Sequence, residues 1–355
     1  MHWELSEEQE LFAASLREWI TAKFPTEAVR KLQASGDTDR FTGALISDGW
    51  WGVGYPEDAA GQGGGVLELA LAAREFGRSA VPDSRWLAAA LVAPLLAERE
   101  LAGQLAGERR FAAAIRADRP PTWDPLVAHD GRLTGTVRHV IGAGEADVFV
   151  VPVNGPEGTG LARVSASDVV IEPDRLLDRS RGAGTVEFTS APIIEVIPAD
   201  ESSLSRTATL AGVLVAADAL GSAERMLELA VEYSKQRKQF GQFIGSFQAV
   251  KHAAAQMLVT VEAAYSTALY AAAAVDAGID DAPTVAAVAK AQVTETVADL
   301  AESALTVHGA IGYTWEHDLH LFYKRAKLDR TLFGSPSVWN ERIAAALLDE
   351  PVRQG

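Results

Sequence analysis

From residue 6 the chain runs in helical rhythm. Ser6 and Gln9 stand at the spacing of a capping box, and Phe12, Leu16, Trp19 and Ile20 recur at intervals that put them on one face. A second helical run over 41–48 leads into GWWGVGYPEDAAGQGGG, residues 49–65, where seven of seventeen positions are glycine. Such density forbids a regular element, so this stretch is read as a loop. Helices resume over 66–77 and 86–98. Near Arg109 the texture changes to short runs of β-branched and aromatic residues parted by Gly, Asp and Pro: FAAAI, RLTGTVRHV, DVFVVPV, GLARV, DVVIEP, GTVEFT and IIEVIP. A turn signal about every ten residues predicts a small antiparallel barrel or sandwich. After Ser202 long helical runs return over 205–235, 246–277, 282–308 and 336–349, and the alanine-rich 268–301 lets helices pack closely.

Composition narrows the class of function. With 355 residues, 48% of them hydrophobic and 23% charged, the chain can bury a large core. It contains no cysteine, which excludes disulfides, iron–sulfur clusters and thiolate chemistry within the chain. A net charge of −16 argues against a nucleic-acid binder or a basic peripheral membrane protein. The acidic start MHWELSEEQELF has no basic segment followed by an apolar one, so no secretory leader is expected. No uninterrupted apolar run is read as long enough to span a bilayer, since the alanine-rich 268–275 stops at Asp276. A cytoplasmic protein without a membrane or nucleic-acid partner is expected.

Two stretches are specific enough to carry a resemblance. RKQFGQFIGSFQ spans 237–248, and VHGAIGYTWEHDLHLFYKRAK spans 307–327. With these the chain resembles the acyl-CoA dehydrogenase family over essentially its whole length; the loop at 49–65 and GRLTGTVRHVIGAGEADVFVVPV are also similar to family segments. The resemblance implies an α+β fold: an N-terminal α-helical domain over 1–107, a middle antiparallel β-barrel over 108–199 and a C-terminal four-helix bundle over 200–355. It also implies oxidation of an acyl-CoA thioester at Cα–Cβ, with FAD taking the β-hydride and a carboxylate the α-proton.

In the family the pattern R-x-x-F-G-x-x-I-x-x-F-Q contacts the ADP half of a flavin held mainly by the neighbouring subunit. Arg237, Phe240, Gly241, Ile244, Phe247 and Gln248 keep every position of it, with Lys238 and Gln239 between them. Arginine suits a pyrophosphate because its guanidinium donates in bidentate fashion. The turn that follows in the family is matched by His308, Gly309 and Ala310, where Ala310 replaces a glycine and Thr306 a preceding glutamine. The resemblance therefore assigns cofactor contacts to Arg237, Lys238, Gln239, Phe240, Phe247, Gln248, Thr306, His308, Gly309 and Ala310. Taken singly, Arg237 is as easily a solvated helix-end residue and the two phenylalanines core aromatics. His308, His317 and His320 raise a metal site, but no carboxylate set completes a ligand shell, and none is assigned.

The departures from the family are systematic. Phe333 stands where most members carry the catalytic glutamate, and Ala211, 26 residues before Arg237, occupies the alternative place of the base. The region FAAAIRADRPPTWDPLVAHDGRLTG lacks the family's TEPGAGSD-like loop; His139, Val140 and Ile141 replace the W-I-T segment that backs the flavin ring. Ser335 and Ser337 sit where a Thr-x-Gln pair is usual.

These losses fall on the ring half of the site, while the residues that reach a neighbour's ADP moiety are kept. The expectation is a supporting, non-catalytic subunit that shares FAD at an interface with a homologous catalytic chain, in an α2β2 heterotetramer. The resemblance is to the paired enzymes of actinobacterial steroid side-chain degradation, and it implies an acyl-CoA substrate and an electron-transfer acceptor. Two alternatives stand beside it. One is a self-sufficient homo-oligomeric flavoenzyme, with a displaced base such as Glu341 or a monooxygenase-like chemistry. The other is a flavin-free scaffold or binding protein.

Overall fold

The computed structural model describes residues 5–155 and 158–349. The opening MHWE, part of the stretch read for a leader, and residues 350–355 lie outside the described residues.

Six helices come first: α1 (Glu7–Lys23), α2 (Thr26–Ser35), α3 (Asp39–Ser47), α4 (Val66–Ser79), α5 (Ser84–Val92) and α6 (Glu98–Leu105). The capping box at the start of α1 forms as read: the Gln9 N–H donates to Ser6 Oγ at 3.2 Å and the Ser6 N–H to Gln9 Oε1 at 3.0 Å. The run predicted over 86–98 is helical only as far as Val92 in α5, because Pro94 cannot continue it; a 3₁₀ turn follows at Ala93–Leu95, and α6, which begins at Glu98, was not predicted. Strands follow: β1 (Phe111–Ala113), β2 (Leu126–His129), β3 (Arg132–Ile141), β4 (Val148–Gly155), β5 (Gly158–Ser165), β6 (Val170–Pro173), β7 (Ala183–Pro192) and β8 (Glu195–Pro198). All seven predicted β-runs are strands; β2 is the one that the pattern did not reveal.

The sheet order is β6-β7-β3-β2-β4-β5-β8, with β1 also against β4. Most pairs are antiparallel, but β1 and β2 both run parallel to β4. The expected barrel is not closed. Closure needs ladder bonds between edge strands, and β6 and β8, four residues each, stay at opposite ends of the order.

The rest is helical: α7 (Ser205–Gln236), a two-residue hairpin pair β9 (Lys238–Gln239) and β10 (Gln242–Phe243), α8 (Gln248–Asp276), α9 (Ala282–His308), α10 (Leu319–Thr331) and α11 (Pro336–Asp349). Contrary to the reading of apolar runs, two segments, Glu201–Gln236 and Gln248–Asp276, are long and apolar enough on average to cross a membrane. Scattered charges such as Asp218 break a run without much lowering the mean over a helix. Segment Glu201–Gln236 is 89% buried across its apolar window, as the central helix of a bundle must be.

Two glycines allow α4 and α7 to touch. A Cβ on Gly77 would lie 2.0 Å from the Asp218 carbonyl oxygen, and one on Gly221 1.8 Å from that of Arg74. Gly221→Ala should therefore lower stability by about 3 kcal/mol, overpacking outweighing the roughly 1 kcal/mol that alanine gains in a helix. An unchanged thermal midpoint would show that the two helices do not approach so closely.

A buried ionic cluster ties the three regions together. Arg325 of α10 donates to Asp218 of α7 at 2.7–3.0 Å, pairs with Asp83 before α5 at 2.9 Å, and reaches the Val81 carbonyl and Ser180 Oγ. Arg181, on the connection between β6 and β7, bonds Asp83, Asp218 and Asp329. All five side chains are almost wholly buried.

Candidate functional site

At one end of the bundle α7 stops because Arg237 turns extended (φ −75°, ψ 131°). The hairpin that follows pairs Gln239 with Gln242 and Lys238 with Phe243. Its two turn residues, Phe240 and Gly241, both have positive φ (51° and 79°), the geometry of a tight two-residue hairpin loop. Glycine adopts this freely; phenylalanine pays for it, yet the residue is 92% exposed, its ring edge-to-face with that of Phe247 at a centroid distance of 6.3 Å. Arg237, Lys238, Gln239 and Gln248 are exposed and Phe247 half-buried. The Arg237 carbonyl accepts from the Ile244 N–H at 2.8 Å, while its guanidinium forms no ion pair with a described residue.

The end of α9 comes to the same place. One turn before Arg237, Tyr233 stacks on His308 with ring centroids 4.8 Å apart, which brings the two sequence-predicted stretches together. His308 Nδ1 lies 2.7 Å from the Ala304 carbonyl, and its Nε2 is buried without a hydrogen-bond partner. Burial lowers its pKa, with the nearby His317 adding to the effect. The Leu319 N–H donates to His317 Nδ1, and His320 Nδ1 bonds the His317 carbonyl. These imidazoles pack on one another and on their own backbone. Gly309 ends α9 at φ 64°, Ala310 is exposed beside it, and the Thr306 hydroxyl is spent on the Glu302 carbonyl of its own helix.

The place that the family resemblance implies for a flavin ring, beside Phe333 and Ile141, is filled. Phe333 is 1% exposed, and with Ala88, Leu91, Ala113, Ile115 and Ile141 it encloses a cavity of about 10 Å³. That is scarcely the space of one water. Phe333 sits at φ 55°; its N–H donates to the Ala117 carbonyl at 2.6 Å, and its carbonyl accepts from Trp339 Nε1 at 2.8 Å. The Ala117 N–H in turn donates to the His139 carbonyl at 3.0 Å. Segment 114–120 thus lies across the site. His139, at φ 57° in a bulge of β3, turns its ring to Asp174, with Nδ1 2.8 Å from Oδ2. Ser335 and Ser337 bond each other at 2.8 Å. A tricyclic isoalloxazine does not fit here, whereas the exposed donors at the hairpin are free to meet an anion from outside.

Sequence reasoning missed Lys290. It is fully buried, and its Nζ donates to the carbonyls of Asp329 and Gly334 at 2.9 and 3.1 Å, holding the loop that carries Phe333. Burial pushes its pKa down to about 7. The signal was present: Lys290 is the lone Lys or Arg in the apolar run of α9. Two acids, Asp329 and Glu341, flank Phe333 in sequence. Asp329 belongs to the buried ionic cluster, where burial and then the Asp218 charge hold its pKa well above the ordinary carboxylate value. Glu341 is exposed on α11.

Helices, an open sheet and a helical bundle in this order define the acyl-CoA dehydrogenase class of fold. Residues 6–99 match the acyl-CoA dehydrogenase N-terminal domain and residues 205–348 the C-terminal domain. Acyl-CoA dehydrogenase FadE34 of Mycobacterium tuberculosis is 35% identical over 96% of this chain, which spans 48% of that protein, about half its length. Acyl-CoA dehydrogenase IpdE2 of the same organism is 33% identical over 83% of this chain and 82% of its own. Among solved structures, a Tcur3481-Tcur3483 steroid ACAD variant superimposes with a TM-score of 0.85 at 27% identity, over 97% of this chain and 98% of that one. The ChsE4-ChsE5 complex from M. tuberculosis does so with 0.84 at 25%, over 99% and 100%. The chain belongs to the acyl-CoA dehydrogenase family.

Proposed function

We propose that this chain is the supporting, non-catalytic subunit of a heteromeric FAD-dependent acyl-CoA dehydrogenase. It lends Arg237, Lys238, Gln239, Phe240, Phe247, Gln248 and the turn from Thr306 to Ala310 to the ADP half of FAD held by a homologous catalytic subunit. The assembly is an α2β2 heterotetramer that desaturates an acyl-CoA at Cα–Cβ and passes electrons to a separate acceptor. A steroid side chain is the substrate class, by likeness to the steroid ACAD variant and to the two-component ChsE4-ChsE5 complex. One contrast carries this reading: a ring site reduced to about 10 Å³ behind Phe333, beside a hairpin with exposed arginine and phenylalanine. When bound, FAD would supply hydride acceptance; this chain's own part is confined to anion contacts at the hairpin. The exposed position of Glu341 gives little support to a displaced base.

Co-expression with a homologous chain that keeps the glutamate and the TEPGAGSD-like loop tests the proposal. A yellow complex with one flavin per pair of chains is expected, and a colourless product from this chain alone. A yellow, active homo-oligomer of this chain would sink it.

A further inference from the structure

The glycine-rich loop 49–65 takes no part in the site described above, yet it forms one wall of a cavity of about 390 Å³. The other walls come from the starts of α4 and α7, the end of α5, and α6, with Leu69, Ala90, Ala93, Leu101 and Leu210 facing inward. The cavity is separate from the filled ring place. Ala88 and Leu91 of α5 face that place, whereas Ala90 and Ala93 face this one. Its volume falls in the range of small-molecule sites.

Two polar side chains line it without protein acceptors. Tyr55 is 93% buried, since only 7% of it is exposed, and its hydroxyl makes no hydrogen bond with a described residue; burial alone pushes its pKa up. The hydroxyl oxygen itself stays accessible, so solvent or a ligand can accept its proton. Arg206, in the first turn of α7, lines the same cavity, is exposed, and forms no ion pair with a described residue. The loop holds Tyr55 firmly. Its carbonyl accepts from the Gly63 N–H and the Gly54 N–H donates to the Gly63 carbonyl, both at 2.8 Å, and a Cβ on Gly61 would lie 2.2 Å from the Tyr55 carbonyl oxygen. Asp276 also borders the cavity, but its two carboxylate oxygens accept from the Val66 and Leu67 N–H groups at 2.7 and 2.8 Å, capping α4.

We propose that this cavity binds a monocarboxylic acid with an apolar body, the carboxylate accepting from Tyr55 Oη and the Arg206 guanidinium. Apolar walls call for hydrocarbon, and the two donors for an acceptor that carries negative charge. Asp276 on the same border disfavours a doubly charged group such as phosphate. The site stands independently of the proposed subunit role, and its test reads binding rather than turnover.

Isothermal titration of the full chain, in complex with its partner if that is the form purified, would compare decanoate, 1-decanol and inorganic phosphate. Saturable decanoate binding is expected, stronger than that of decanol and with none for phosphate. Arg206→Gln should weaken decanoate roughly tenfold to a hundredfold, and Tyr55→Phe about fivefold, with decanol little affected. Ala93→Phe should block both by filling the space; should that variant fail to fold, the two polar variants still decide. No saturable decanoate binding, an affinity indifferent to Arg206→Gln, or phosphate binding in preference would each overturn the assignment.

Discussion

Arg325→Ala is expected to remove about 3–5 kcal/mol of folding stability, a large share of what holds a domain together. The side chain is fully buried and serves Asp218, Asp83, the Val81 carbonyl and Ser180 Oγ together. Its removal leaves the buried acids Asp83, Asp218 and Asp329 to share Arg181 alone, and the desolvation cost of unmatched buried charge dominates the loss. Burial by itself would raise the Asp83 carboxyl, and the charges of Arg181 and Arg325 instead hold it below the ordinary carboxylate value. That contribution is complete above the unfolded pKa of about 3.9 and fades as pH falls through the lower folded value, so acid should mimic the mutation in part. Asp329→Asn should be far milder, since this carboxyl is held above its ordinary pKa and has one oxygen without a partner. Urea midpoints of the two variants would check both statements. A shift for Arg325→Ala no larger than for Asp329→Asn would mean that the cluster does not hold the three regions together.

Arg237→Ala should weaken flavin retention in the co-expressed complex by roughly tenfold to a hundredfold, while leaving the fold of this chain intact. The size follows from the loss of a charged hydrogen bond, about 1.5–3 kcal/mol. Stability should not change, because the guanidinium is exposed and pairs with no described residue. Arg237→Lys should recover little, since a single ammonium cannot donate in bidentate fashion. Flavin absorbance per complex after dialysis measures this. Undiminished flavin in Arg237→Ala would favour a scaffold that does not touch the cofactor.

Much of this was legible in the chain. The capping box of Ser6 and Gln9, the seven β-runs and the long helices were marked by spacing and periodicity; the twelve-residue pattern at 237–248 was legible as a motif, but not that it turns through a hairpin. Short elements were not. Helices α2 and α10 and strand β2 carry mixed, polar-rich patterns whose form depends on what they pack against. The open sheet escaped notice because closure is a matter of which strands become edges, and no strand's own sequence encodes its neighbours.

The substitutions at Phe333 and Ile141 could be read from position alone, since absence of a carboxylate is a property of the residue. That these side chains, with segment 114–120 laid over them, leave about 10 Å³ could not. Nor could the meeting of Tyr233 with His308, the five-member ionic cluster, or the lining of one cavity by both Tyr55 and Arg206. Chemistry and local periodicity belong to residues and their near neighbours, and are set by the order of amino acids. Cavities, buried charge pairs and the sharing of one end of a bundle by α7 and α9 arise between groups tens to hundreds of positions apart, and only the packed chain decides them.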